Sequence, residues 1–414
     1  MNWQPCKGLR RVAMFRMDRF RSPAVRPINT EMRHQDGHGE EPILTALPRI
    51  VLFNNNLTPY TNRLYNRLAE RGVDLATVSC CEQESNRNWA RSFDSEFPTT
   101  VLRGFALRLA PNRFAHVNVG VWRAFDRLRP DLLVINGFYP SMLSAALWAV
   151  TRKVPLALTI DGWANDMPRS PYHSVVRPAV LGRCRGVIVP GRKGREFFIA
   201  AGVSEARIFT VPIVTAWDGP TQLRPFEERP NHLVWAAQLN NEVKNVAFFT
   251  ALTAKLKRTI PDLRVTLAGD GPAKQDVFAA LRDAGIPFTH DVVPWNRMAE
   301  LFGSGRLLVL PSLAEPWGLV CNEAMQCGTP CAVSPFVGAA DDLVLSRENG
   351  LVLPLDVDLW AQEIAPLVTN QLQWSHYSAA AAAAMRARTV DASAEAFVAA
   401  ATAFLGRPIL PPGR

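Results

Sequence analysis

Leu307-Leu308-Val309-Leu310 is an unbroken apolar run too short for a helix, and it reads as a buried parallel strand. Pro311-Ser312-Leu313-Ala314-Glu315-Pro316-Trp317-Gly318 follows as a loop, and a helix is expected from about Leu319 to Gln326. Gly328 sits just past that helix as a C-cap, and Pro330 forbids its return. Strand, loop and helix N-terminus in that order leave one arrangement: a loop at the carboxyl end of a parallel strand, with backbone N–H groups pointing into it. Gly318 lets the backbone come close to a ligand, and free N–H groups at a helix start favour an anion. Glu315 lies in the loop and Glu323 one turn into the helix. Two carboxylates beside an anion site would repel bare phosphate, so they suit the hydroxyl-bearing ends of a larger ligand. A nucleotide sugar fits: pyrophosphate on the helix, one Glu on the sugar, the other on the ribose. Taken as isolated residues, either glutamate could equally be a solvated surface charge.

Glu315 and Glu323, within Glu-Pro-Trp-Gly-Leu-Val-Cys-Asn-Glu-Ala-Met, resemble the signature of the retaining glycosyltransferases of family 4. The strand before it and Cys327-Gly328-Thr329-Pro330 after it match as well. In that family the first Glu binds the donor sugar and the second the nucleoside ribose. The resemblance therefore implies these roles for Glu315 and Glu323, with Gly318 and Leu319 at the diphosphate. It runs from about Arg49 onward, dense from Leu233 to Leu353 and looser before. It implies an α/β chain of GT-B architecture, two Rossmann-like domains facing a central cleft, with donor on the second and acceptor on the first.

The chain's order agrees with such a plan. Arg49-Ile50-Val51-Leu52-Phe53 is the first strand expected, then a loop through Asn56 and Tyr60, a helix to Gly72, and a strand over Asp74–Val78. That loop lacks G-x-G-x-x-G, which speaks against a dinucleotide dehydrogenase. The equivalent family loop faces the acceptor, making Asn56 and Tyr60 acceptor-side candidates. Further strands end at Asn136-Gly137 and at Asp161-Gly162-Trp163. Ligands of doubly wound sheets sit at carboxyl ends of strands, so Gly137 joins the acceptor side and Asp161 is a catalytic candidate. The family often carries His or Glu near Asp161, and a helix-capping role is the alternative. His116 and His173 stand alone, more consistent with ordinary satisfied or exposed histidines than with ligands.

Residues 215–230 are rich in Pro and charge and are expected to link the domains. Ala237-Gln238 stands where the family usually has Gly-Arg, and Lys244 matches its lysine. A lysine beside a diphosphate would stabilise leaving-group charge. Gln238 in place of Arg removes a bidentate phosphate clamp and leaves a weaker donor there. Gly269-Asp270-Gly271-Pro272 matches the family's turn near the nucleotide, although Gly269 and Gly271 read first as backbone-geometry residues. A final helix around 394–404 is expected to return to the first domain. The divisions expected are 1–48, a disordered basic tail or an early start codon; 49–214; the linker; 231–385; and 386–414.

Composition sets further bounds. Of the net charge of +9, residues 1–230 carry +12 (32 basic, 20 acidic) and residues 231–414 carry −3 (14 basic, 17 acidic). A basic first half suits an anionic membrane surface or phosphate-bearing acceptor, and no motif supports nucleic acid. Seven cysteines at irregular spacing, without C-x-x-C, suit free thiols in a reducing compartment and give no zinc site. No apolar run reaches the roughly 18 residues of a spanning helix. The resemblance implies a metal-independent transferase with a nucleotide-diphospho-sugar donor and no other cofactor. Its acceptor would be a glycan or lipid-diphosphate-linked glycan in bacterial surface polysaccharide assembly, reached from the cytoplasm at the inner membrane face. A nucleotide-sugar epimerase or a non-catalytic nucleotide-sugar-binding partner would fit the same fold.

Overall fold

The computed structural model describes residues 47–83, 93–110, 113–163 and 171–411, so the tail expected over 1–48 falls almost wholly outside the described residues. The first half contains β1 (Ile50–Asn54), α1 (Pro59–Glu70), β2 (Leu75–Ser79), β3 (Thr99–Val101), β4 (Gly104–Ala110), β5 (Arg113–Asn118) and α2 (Val121–Leu128). It continues with β6 (Leu132–Asn136), α3 (Pro140–Arg152), β7 (Leu156–Thr159), α4 (Pro171–Leu181), β8 (Cys184–Val189), α5 (Arg192–Ala200) and β9 (Ile208–Thr210). The second half has β10 (Asn231–Ala236), α6 (Val246–Thr259), β11 (Val265–Ala268), α7 (Lys274–Asp283), β12 (Phe288–Asp291), α8 (Met298–Gly303) and β13 (Gly305–Leu310). Then come α9 (Leu319–Gln326), β14 (Cys331–Val333), β15 (Gly350–Val352), α10 (Val357–Thr369), α11 (Gln371–Arg386) and α12 (Val390–Leu405).

Two parallel sheets result, ordered β3-β2-β1-β6-β7-β8-β9 and β12-β11-β10-β13-β14-β15. Their central strands are buried along their whole length, as β1 illustrates, because helices cover both faces. Each sheet reverses its winding once, between β1 and β6 and between β10 and β13. The crevice at the carboxyl ends of such a strand pair is where loops diverge and leave room for a ligand. An antiparallel hairpin, β4–β5, is inserted before α2.

α9 runs from Leu319 to Gln326, and Gly328 beyond it has φ +68°, the left-handed backbone expected of a helix stop. α12 returns to the first sheet. Its Asp391 accepts from Arg67 Nε (2.6 Å), Ser393 Oγ donates to Pro212 O (2.9 Å), and Phe404 packs edge-on against Phe209.

Residues 215–230 differ from a solvated linker at their far end. Arg229 is fully buried and donates to the carbonyls of Arg224 (2.9 Å), Gly305 (2.8 Å) and Cys327 (2.7 Å) and to Thr329 Oγ1 (2.6 Å). Its guanidinium lies 4.7 Å from the Trp374 ring centroid. The Cys327 carbonyl at the C-terminus of α9, with the Gly305 carbonyl at the start of β13, supplies the negative potential that compensates a buried cation. Burial pushes this guanidinium down to about 10, so the segment's end is bolted to the second half at an electrostatic cost.

Candidate functional site

The second-half crevice gathers loops from β10 and β13. The β10 loop is shaped by Asn240, whose Oδ1 accepts from the amides of Val243 (3.1 Å) and Lys244 (3.0 Å). The Leu313 amide donates to Val243 O (2.8 Å), tying this loop to the one after β13. Lys244 Nζ and the Glu315 carboxylate form an ion pair there, each side chain mostly buried. Residues far apart in sequence thus meet because β10 and β13 are neighbours in the sheet.

Gly318 caps α9 with φ +97°, and a β-carbon there would lie 2.9 Å from Val337 Cγ1. Leu319 is the first residue of α9, so its N–H belongs to the free first-turn group. Trp317 Nε1 donates to Asn322 Oδ1 (2.8 Å), and Asn322 Nδ2 donates to Ile213 O (3.0 Å), anchoring α9 to the end of the first half. Glu323 is buried, not the solvated helix residue that its charge alone would suggest. Burial pushes its carboxyl up to about 8, so at neutral pH it is mainly protonated and can both donate and accept a hydrogen bond.

Gly269 and Gly271 serve the β10 loop. A β-carbon on Gly269 (φ +134°) would meet Ala237 O at 2.1 Å, and one on Gly271 would meet Leu239 O at 2.3 Å. The turn therefore supports the backbone on either side of Gln238, whose Oε1 accepts from Asn240 Nδ2 (3.4 Å).

The first-half crevice holds a different set. Tyr65 OH donates to Asn54 Oδ1 (3.4 Å). Burial raises the Tyr65 phenol strongly, and the nearby Asp161 carboxylate and Tyr60 phenol push it further. Asp161 follows the end of β7 and Tyr60 lies in the first turn of α1, both near enough to bear on the Tyr65 phenol, whereas Asn56 and Gly137 (φ +97°) sit in the loops after β1 and β6. His116 is buried, and its ring stands edge-on 6.2 Å from the Tyr139 ring.

Two residues not singled out from sequence lie between the halves. Trp163 Nε1 donates to Glu315 O (3.0 Å), and Lys193 Nζ donates to Pro335 O (2.7 Å) and Val337 O (2.8 Å). Burial lowers the Lys193 ammonium. Both follow carboxyl ends of strands, β7 and β8, the same positional signal that picked out Asp161. Among the described residues, no cluster of three or more His, Cys, Asp or Glu could hold a metal ion. Burial drives the Cys184 and Cys327 thiols up to about 12, leaving them unreactive packing groups.

Comparison with known proteins gives the family and the fold. Residues 230–370 match the family described as glycosyl transferases group 1, and residues 57–213 match the glycosyl transferase 4-like domain. A D-inositol 3-phosphate glycosyltransferase of Mycobacterium avium (strain 104) is 35% identical over 389 residues, covering 86% of this chain and 87% of that protein. A shorter match to the EpsF glycosyltransferase of Bacillus subtilis (strain 168) is 33% identical over 128 residues, 30% of this chain and 33% of that protein. The solved structure of Anabaena Alr3699/HepE in complex with UDP and glucose superposes with a TM-score of 0.64 at 15% identity, covering 86% of this chain and 99% of that one. The fold is GT-B, and with a full-length relative at this identity the chain belongs to the group 1 glycosyltransferases.

Proposed function

We propose that this glycosyltransferase is a retaining, metal-independent enzyme that takes a sugar from a nucleotide-diphospho-sugar. The observation that carries the reading is the Lys244–Glu315 pair beside the N-terminus of α9. In this proposal the diphosphate lies on the α9 amides and displaces Glu315 from Lys244. Lys244 and the helix N-terminus then stabilise the departing diphosphate. Glu315 turns to the sugar hydroxyls, and the protonated Glu323 meets the ribose diol. The bond between C1 and the diphosphate oxygen breaks, and the acceptor oxygen bonds C1 on the same face. The acceptor proton passes to the diphosphate oxygen, so no dedicated base is required. Asp161, with Tyr60, Asn56 and Gly137, lines the acceptor's approach and orients it.

The acceptor in this proposal is a glycan on a lipid diphosphate, in surface polysaccharide assembly at the inner membrane face. The outer side of the first half supports it. Trp122, Leu147 and Val150 are exposed there on α2 and α3, interleaved with exposed Arg123, Arg127 and Lys153. Apolar side chains among cations suit an anionic bilayer. No helix of the described residues is long and apolar enough to cross one.

A thermal-shift screen with UDP, GDP, ADP, dTDP and CMP, repeated on Glu323→Ala, tests donor binding and names the base. A transfer assay on Lys244→Ala and Glu315→Ala tests the chemistry; full activity in both would overturn the assignment. Gln238, in the place of the family's arginine, gives a second reading, a nucleotide-sugar-binding partner without turnover. A nucleotide-induced shift with neither transfer nor donor hydrolysis would favour it.

A further inference from the structure

The loop that carries Glu315 is held from across the cleft. Trp163 donates to the Glu315 carbonyl and Lys193 to those of Pro335 and Val337, with the Lys193 ammonium 4.8 Å from the Trp163 ring centroid. These three carbonyls belong to one small unit. Glu315 and Val337 pair as an isolated parallel bridge, in which Glu315 N donates to Phe336 O and Gly338 N to Glu315 O, both at 3.1 Å. Within its own half, this loop is also tied by the Leu313 amide, by Ser334 Oγ on Ser312 O (2.5 Å), by the Ala339 amide on Trp317 O (2.8 Å) and by the Lys244 ion pair, a contact the donor would have to break. The turn before Lys193 fits tightly against the same region. A β-carbon on Gly191 would come within 2.1 Å of Asp342 Oδ2 and 2.7 Å of the Trp317 ring, and the Arg192 amide donates to Asp342 Oδ2 (2.5 Å).

We propose that Lys193 and Trp163 are positioning residues that set the Glu315 backbone, and through it the carboxylate, for transfer only while the two halves are closed on each other. A charge-assisted bond from an ammonium to two carbonyls is stronger than a neutral one, and of these carbonyls one is that of Val337, the strand partner of Glu315, and the other lies two residues before it. With the halves apart, the 335–338 segment loses these donors and the bridge to Glu315 loosens. Closure over substrate would thus complete the donor site from the acceptor half, which ties turnover to the conformational step. Neither residue needs to touch the sugar.

This inference rests on the proposed role of Glu315, so its test includes a readout that needs no turnover. Amide hydrogen exchange over residues 313–340 would be compared in the wild type, Lys193→Met, Lys193→Arg, Trp163→Phe and Gly191→Ala, each as the full chain. Loss of the bridging bonds should speed exchange at Glu315 and Gly338 about 10-fold in Lys193→Met and Trp163→Phe, with Lys193→Arg restoring protection. In transfer assays kcat should fall about 10- to 100-fold in the same two variants, with donor KM within about threefold and Arg restoring the rate. Gly191→Ala, a wedge between the halves, should reproduce both losses. Unchanged exchange, or kcat within about twofold of the wild type, would overturn the proposal. If Lys193→Met fails to fold, Trp163→Phe, which removes one donor and keeps the ring body, decides. A wild type that transfers from no donor would defeat the proposed function and leave the exchange comparison to decide this one.

Discussion

The two halves use one construction in different ways. Each is a parallel sheet that reverses its winding once and opens a crevice at the carboxyl ends of its central strands. In the second half that crevice holds a mostly buried ion pair, Lys244–Glu315, and a buried, protonated Glu323. In the first half it holds Asn56 and Asp161 in loops and Tyr60 in the first turn of α1, all partly exposed. Buried charge is tolerated only where geometry compensates it, so the buried pair of the second crevice has little freedom to change. The loops of the first can change at little cost to stability, which fits the acceptor role proposed for it.

The contrast breaks most sharply if catalysis does not depend on the second half. Lys244→Ala and Glu315→Gln should each lower kcat by about 10²- to 10³-fold, the scale of losing one preorganised electrostatic contact. Steady-state transfer or donor-hydrolysis assays read this directly, and a loss below tenfold in both would place the chemistry elsewhere.

Glu323 gives the next effect. Its folded value, about 8, lies above the ordinary carboxyl value of 4.5, so the folded state holds a proton the unfolded state releases. The ligand-free protein should therefore be most stable below about pH 4.5 as far as this group is concerned, losing on the order of 1 kcal/mol per pH unit as pH rises towards 8. Glu323→Gln should flatten that slope in chemical denaturation at pH 5–8. Glu323→Ala should weaken nucleoside-diphosphate binding about tenfold through loss of one hydrogen-bonding partner. A slope unchanged in the Gln variant would mean that the carboxyl is solvated in the free protein.

Asp161→Asn sharpens the comparison from the other side. It should raise acceptor KM about three- to tenfold and leave donor hydrolysis within about twofold, the pattern of a lost binding contact. An equal loss of hydrolysis would move Asp161 into the donor chemistry. The last test belongs to the outer face: Arg123→Gln should weaken binding to phosphatidylglycerol vesicles, read by sedimentation, by about 1 kcal/mol. Retained binding at low salt would mean that the basic first half serves something other than the bilayer.

Much of the fold was legible in the sequence because short apolar runs bounded by Gly, Pro and Asn encode buried strands locally. The runs at 50–53, 132–135 and 307–310 all became central strands. The hairpin β4–β5 was not legible: its strands mix Arg, Ala and His without clean alternation, since it is no part of the main sheet. The burial at the end of residues 215–230 was not legible, because Pro and charge normally mean solvent. Arg229 is instead satisfied by carbonyls from residues 305 and 327, partners that no local pattern reveals.

The sequence by itself determined the units: strand, loop and helix N-terminus, with Lys244 and Glu315 in loops and Glu323 one turn into a helix. Only the tertiary structure decided that Lys244 pairs with Glu315, that Glu323 is shut away from water, and that Trp163 and Lys193 reach the Glu315 loop from the other half. The physical reason is range. Periodicity and turn chemistry act over a few residues, whereas these contacts depend on β10 lying beside β13 and on one sheet closing against the other.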